Sequence, residues 1–369
     1  MKPRIRYYDI AKGFAILAVI IGHSILISNA FTPQGKLAEI VYRICFTFHM
    51  PLFFILSGYF MHPERSFRWA RESRELLATY GLTAAAIIFT NSVLALLQGA
   101  SIRQTFIGWS AASFYGAGDF ANNYLWDIPY RIGALWFLLG LFWAHLIVHL
   151  AHKTQHPWLI VLLCFIVGYW SARVVWLPFS IQSGLTASAF VYCGALLRRY
   201  NVFNTLRHLT PLWLIFALLW LMSIVVFQGF SMAMNQYGLG RHFVVSIFGA
   251  VSGTFCMLGI SMLLDRGVDT IADKFARLGQ NSLAILCAHI LEDDTMPWPL
   301  IIPYMDAHLG NSHIIWMLIF ACRLCFDLLF TWLLFHIPHA NTLFFPYLKP
   351  EKLSINNKSR KEKPAWVKQ

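Results

Sequence analysis

"YYDIAKGFAILAVIIGHS", residues 7–24, opens with an acid and a base, runs apolar for ten residues and then places a histidine. At 1.5 Å per residue a helix of this length reaches most of the way across a hydrocarbon core of about 30 Å. Ionisable groups are costly there, so they face a protein interior or a wet cavity. At 100° per residue, Lys12 and His23 share a face about 16 Å apart along the axis, and Asp9, three residues before Lys12, falls nearby. One stripe therefore carries an acid and a cation at one end and an imidazole well toward the other.

The rest of the chain agrees with this reading. Of 369 residues, 58% are hydrophobic and 12% charged, and the mean hydropathy is +0.57, which excludes an ordinary soluble domain. Apolar runs long enough to span begin near residues 10, 76, 134, 158, 211, 243 and 313. Three less uniform runs, at 44–61, 184–197 and 278–292, carry His, Ser, Gly or Asn. The expectation is an all-α polytopic membrane protein of about ten transmembrane helices. Alternate loops concentrate Lys and Arg, including Arg65, Arg68, Arg71 and Arg74, which sets both termini in the cytoplasm. The membrane domain is expected over residues 1–348 and a basic, disordered cytoplasmic tail over 349–369. The first span is expected to be retained, because Asp9 and Lys12 interrupt the start of the run that a cleaved signal would need.

The net charge of +12 is spread over several loops and the tail, which fits topology and anionic lipid headgroups and argues against nucleic acid as a partner. Seven cysteines, mostly inside spans, imply no disulfide framework. Cys322 and Cys325 form a C-x-x-C with no partner pair, so no metal site is expected. His145, His149, His152 and His156 step along one helix end; they read as a polar edge rather than as haem ligands from separate helices.

The run "FTFHMPLFFILSGYF", residues 46–60, sets His49 just before Pro51, whose ring removes a backbone donor, and Ser57 and Gly58 toward the other end. A helix of this kind beside one bearing His23 reads as a cavity wall. His23 itself has two readings: a general base, or a hydrogen bond stapling two spans. Ser57 offers a nucleophile's oxygen, but no base follows from the sequence, and Ser-Gly in a span usually serves close helix packing. Ser282 and His289, seven residues apart, share a helix face. The outer loop over about 99–133 holds Trp126 and Asp127 among further aromatic, acidic and amide residues, a composition that suits a sugar as well as a membrane interface.

Residues 7–23, followed by residues 46–60, resemble the membrane acyltransferase-3 family, whose first span reads D-x-x-R/K-G with a histidine eleven residues after the basic position and whose next reads F-x-x-P-x-F-F-x-x-S-G. "ALWFLLGLF", residues 134–142, and "LGQNSLAILCAHI", residues 278–290, are similar to its middle and late motifs. Many members carry arginine where this chain has Lys12. The lysine form resembles the branch of fucose 4-O-acetylases and capsule-modifying enzymes.

The resemblance implies a membrane-bound O-acyltransferase of the cell (inner or plasma) membrane. It would move an acyl group, most often acetyl, from acyl-coenzyme A to a hydroxyl of a surface glycan or lipid-linked sugar. His23 would be the base, with Lys12 and Asp9 in the catalytic stripe. Lys12, Arg65 and Arg68 would hold the coenzyme; His49, Ser57, Trp126, Asp127, Ser282 and His289 would line the acceptor path. Acetyl-coenzyme A is a co-substrate here, and no resident cofactor or metal is expected. With no appended hydrolase-like domain, a second transfer step would call for another protein. The competing expectation is a non-enzymatic glycan or lipid exporter on the same architecture.

Overall fold

The computed structural model describes residues 5–203, 210–226, 243–267, 269–309, 312–337 and 343–345. Among them the chain is all-helical, with a single isolated bridge between Tyr124 and Trp176 in place of any strand. Seven helices are long and apolar enough to cross a membrane: α1 Arg6–Asn29, α2 Gly35–Phe60, α3 Trp69–Leu97, α5 Trp136–His152 with its preceding 3₁₀ turn Gly133–Leu135, α6 Pro157–Val174, α9 Phe243–Arg266 and α13 Ile315–His336. Between these lie α4 Ile102–Tyr115, α7 Ile181–Arg199, α8 Thr210–Val226, α10 Asp269–Gln280, α11 Ser282–Thr295 and α12 Trp298–Leu309. The basic tail from residue 349 lies outside the described residues.

The apolar runs recur as helices in the expected order, seven of them rather than about ten with spanning length and hydropathy among the described residues, and one run differs in a way that matters for the site. The run at 278–292 is not a continuous span. It divides at Asn281, whose φ of −101° and ψ of 9° leave the helical range. On one side α10 is amphipathic and lies along the start of α1. On the other, α11 has 14 residues, about 21 Å of rise, short of a full crossing. The cause is local. A Cβ on Gly279 would sit 1.7 Å from the Asp9 carbonyl oxygen, and one on Gly13 would sit 2.2 Å from that of Phe275. Glycine at both positions allows the two backbones to meet, and Gly279 with Asn281 makes a weak helix junction.

A second glycine contact sets α2. A Cβ on Gly58 would lie 1.9 Å from the Val191 carbonyl oxygen, and one on Gly194 an equal 1.9 Å from that of Ile55. The crossing of α2 and α7 is therefore as close as backbones come, the small-residue packing that membrane helices use. It fixes the rotation of α2 and with it the direction of the neighbouring Ser57. Through the opposite half of α2, Thr47 accepts a hydrogen bond from Trp220 Nε1 on α8 at 2.9 Å, one turn before Pro51. Helices α1, α2, α5 and α11 then enclose the polar interior.

The outer segments are also more ordered than loops. Residues 102–115 form α4, opened by Ser101, whose Oγ accepts from Gln104 N at 3.4 Å, and closed by Gly116 at φ +71°. Glu292 and Asp293 belong to the last turns of α11, and Glu292 is fully buried.

Candidate functional site

Two cavities are set into the same four helices, one toward each end. The first, about 320 Å³, lies at the far half of α1 and is lined by His23, His49, Asp119, Arg131, Trp136 and Asp293, among others. The second, about 470 Å³, lies at the near half and is lined by Lys12, Ser57, Arg65, Arg68, Arg71 and Ser282, with Glu72, His145 and Gln280. α1 contributes a residue to each: Lys12 to the basic cavity, His23 to the histidine cavity. The face that the spacing defines is thus the face that the fold uses.

In the histidine cavity, His23 is half-buried. Its ring stacks on Phe46 at 6.1 Å and meets His289 edge-on at 5.3 Å between centroids. Among the described residues it makes no hydrogen bond. A stapling role requires a partner on a second helix, and the ring contacts here supply none. His49 differs: its Nδ1 donates to the Cys45 carbonyl at 2.6 Å, which leaves Nε2 as the nitrogen available to a ligand.

Behind His23 stands a buried charge network that spacing did not reveal. His289 Nδ1 lies 3.2 Å from Asp327 Oδ2 and 3.5 Å from Glu292 Oε2. Arg323 bonds Glu292 at 2.9 Å through Nε and reaches Asp293 through Nη2. Asp293 lies 3.7 Å from Arg131, and Trp298 Nε1 donates to Glu292 at 2.5 Å. His289, Glu292, Arg323 and Asp327 have no exposed surface. His289 is therefore part of the wall behind the cavity rather than its lining. The donor atoms of His289, Glu292 and Asp327 converge to within 4.8 Å of one another, as a metal would require, but the cation already among them is Arg323. Charges this deep persist when paired and hydrogen-bonded. A signal was present in the sequence: "IFACRLCFDLLF", residues 319–330, carries Arg323 and Asp327 four apart on one helix face inside an apolar run.

In the basic cavity, Lys12 Nζ lies 3.7 Å from the buried Asp9 carboxylate and 5.5 Å from the Phe60 ring centroid. Gln280 Nε2 reaches Asp9 at 3.5 Å. Arg65 and Arg68 come from the chain between α2 and α3, while Arg71 and Arg74 belong to α3 itself. Arg71 is bonded to Glu75 at 2.6 Å. Arg74 lies off the cavity that the other three line. Ser282 opens α11 on this same cavity, so a helix N-terminus with its unpaired N–H groups faces the space. Ser57 donates to His145 Nε2 at 2.7 Å, and His145 Nδ1 donates to Glu72 Oε2 at 2.9 Å. His145 is thus a bonded interior group rather than part of a polar edge.

Trp126 and Asp127 stand apart from both cavities. Each is exposed, and the Trp126 ring packs on Tyr115 at 5.0 Å. The segment after α4 reaches the histidine cavity instead through Gly118, Asp119 and Arg131.

The protein is thus a polytopic helical one whose interior holds a basic cavity and a histidine cavity on the same helices. A family model described as an acyltransferase domain matches residues 5–346, and the chain belongs to that acyltransferase family. No match to the chain occurs among curated proteins or among solved structures.

Proposed function

We propose that the protein transfers an acetyl group from acetyl-coenzyme A, taken up in the basic cavity on the cytoplasmic side, to a sugar hydroxyl presented at the histidine cavity. The acceptor is a surface glycan or lipid-linked sugar, and the protein sits in the cell membrane with both termini cytoplasmic. One observation carries the reading: cations line the end of α1 where an anionic coenzyme would arrive, and an imidazole that makes no hydrogen bond among the described residues lines the other end.

The chemistry follows from the residues. Coenzyme phosphates suit Lys12, Arg65 and Arg68 together with the N-terminus of α11. A sugar hydroxyl barely ionises at neutral pH and needs a base as it attacks the acyl carbonyl; neutral imidazole matches that task. His49 Nε2, Asp119 and Arg131 supply donors and acceptors that hold the sugar beside His23, and Trp136 offers a ring for its C–H face.

Mass spectrometry of surface glycans from cells with and without the protein tests this. Loss of an acetyl mass on the glycan, with glycan export intact, is the expected result. Export lost, or acetylation unchanged, would overturn the assignment.

A further inference from the structure

Ser57, His145 and Glu72 come from three helices and meet in one chain of hydrogen bonds on the wall of the basic cavity. The proton positions follow from the partners. An ionised carboxylate only accepts, so Glu72 fixes the hydrogen on His145 Nδ1; Nε2 is then the acceptor, and the Ser57 hydroxyl points its proton at it. This is the order of hydroxyl, imidazole and carboxylate that activates a serine for attack on an acyl carbon. The side chains of His145 and Glu72 are 12% and 20% exposed, so the chain is shielded yet open to the cavity.

The surroundings hold the three in place. Ser57 is fixed by the contact of Gly58 with the α7 backbone. Glu72 sits directly before the π-helical turn Ser73–Ala78 at the start of α3, an irregularity that often accompanies a functional side chain. Lys12, Arg65 and Arg68 line the same cavity.

We propose that Ser57 is an acyl-carrying nucleophile, loaded from acyl-coenzyme A in the basic cavity, with His145 as its base and Glu72 as the positioning residue. The inference rests on the donor reading above. Ser57 Oγ attacks the thioester carbonyl carbon and its proton passes to His145 Nε2. The carbon–sulfur bond breaks, the imidazolium returns the proton to the leaving thiolate, and the products are a serine ester and free coenzyme thiol. In the second half, an acceptor hydroxyl attacks the ester carbonyl at Ser57 and its proton passes to His23 through water in the two cavities. Ser57 Oγ leaves and recovers a proton through His145 from the cytosolic water of the basic cavity; His23 releases its proton at the other side.

Both cavities take part of their lining from α2. Met50 lines the histidine cavity, and Phe53 and Ser57 line the basic cavity. The step between the two linings is from Met50 to Phe53, three residues, but Ser57 stands eleven residues, or about 16 Å of helix rise, from Phe46 beside His23. A serine ester lets a small group make that passage while the large anionic coenzyme stays on its own side.

The purified protein in lipid nanodiscs, mixed rapidly with labelled acetyl-coenzyme A and no acceptor, tests this. A burst of free thiol equal to the protein concentration is expected, with the label on the peptide bearing Ser57 and released by hydroxylamine. Ser57→Ala abolishes burst and label and lowers cellular glycan acetylation by on the order of 10² or more, while Ser57→Cys carries the label as a thioester. Glu72→Gln slows loading with the donor KM unchanged, and Glu72→Asp recovers part of the rate. His23→Ala still loads but no longer transfers. Absence of burst and label on the parent, label on another residue, or transfer by Ser57→Ala within a few-fold of the parent would overturn the relay. If glycan acetylation stops in His23→Ala but continues in Ser57→Ala, the function stands and the relay falls. A labelled Ser57 with no acetylated glycan leaves the relay standing and removes the sugar acceptor.

Discussion

His23 lines one cavity and His145 the other, and the two histidines differ in what they touch. His23 contacts rings and makes no hydrogen bond among the described residues; His145 is bonded through both nitrogens. An unbonded imidazole facing a cavity is free to meet a substrate proton, whereas a doubly bonded one is already committed to partners. The difference separates two tasks, deprotonating an incoming hydroxyl and activating a resident one. It also makes the comparison breakable, because removing each histidine has its own expected signature.

The largest effect is expected at His23. His23→Ala should insert and fold within about 1 to 2 kcal/mol of the parent, since it loses ring contacts and no hydrogen bond among the described residues, while transfer falls by a factor on the order of 10² to 10⁴. His23→Gln sharpens the point. Glutamine keeps a neutral hydrogen-bonding group but takes no proton at neutral pH, so it should fail as badly as alanine. Acetylation by the Gln variant near the parent rate, at matched protein level, would falsify the base.

Next in size is the wall behind His23. Arg323→Met leaves Glu292 and Asp293 buried without their shared cation, a loss of about 3 to 5 kcal/mol for a broken buried pair. Thermal unfolding in detergent should show it. The matching change at the basic cavity, Arg68→Met, removes an exposed charge and should leave stability within about 0.5 kcal/mol. Equal stability of the two variants would mean that the network does not build the histidine cavity.

Lys12 should show itself in binding rather than turnover. Lys12→Gln is expected to raise the donor KM by about 10-fold to 10²-fold, the worth of a hydrogen bond to a charged group, and Lys12→Arg to restore it. A change confined to kcat would move Lys12 out of the donor site.

What was legible in the sequence follows the same division. The stripe of Asp9, Lys12 and His23 lies on one unbroken helix, so 100° per residue was enough to read it. Helix order and hydropathy were legible for the same reason: each is a property of one segment. Ser57, His145 and Glu72 are separated by 88 and 73 residues, and no periodicity relates them; their meeting depends on the rotation of α2 set by Gly58 and Gly194. The break at Asn281 was hidden because Gly279 is apolar to a hydropathy count, although its role is to admit the α1 backbone. Glu292 and Asp293 stand at the end of an apolar run, where acids mark exposed positions in most chains, and only Arg323, four residues before Asp327, marked their partner helix.

The smallest effect is expected at the exposed rim, where composition and structure part. Trp126 and Asp127 have the residue types of a sugar site, but both are exposed and the cavity nearby is lined by Asp119 and Arg131 instead. Surface changes away from buried features stay within about 0.5 kcal/mol, so Trp126→Ala with Asp127→Asn should alter acceptor KM by about twofold. Arg131→Gln, which removes a lining cation from beside Asp293, should raise the same KM by about tenfold or more. Acceptor KM measured with the purified glycan at fixed donor decides between them. A larger effect from the Trp126 and Asp127 pair than from Arg131 would extend the acceptor site outward over the rim, and would make the aromatic composition of residues 99–133 a binding signal rather than an interfacial one.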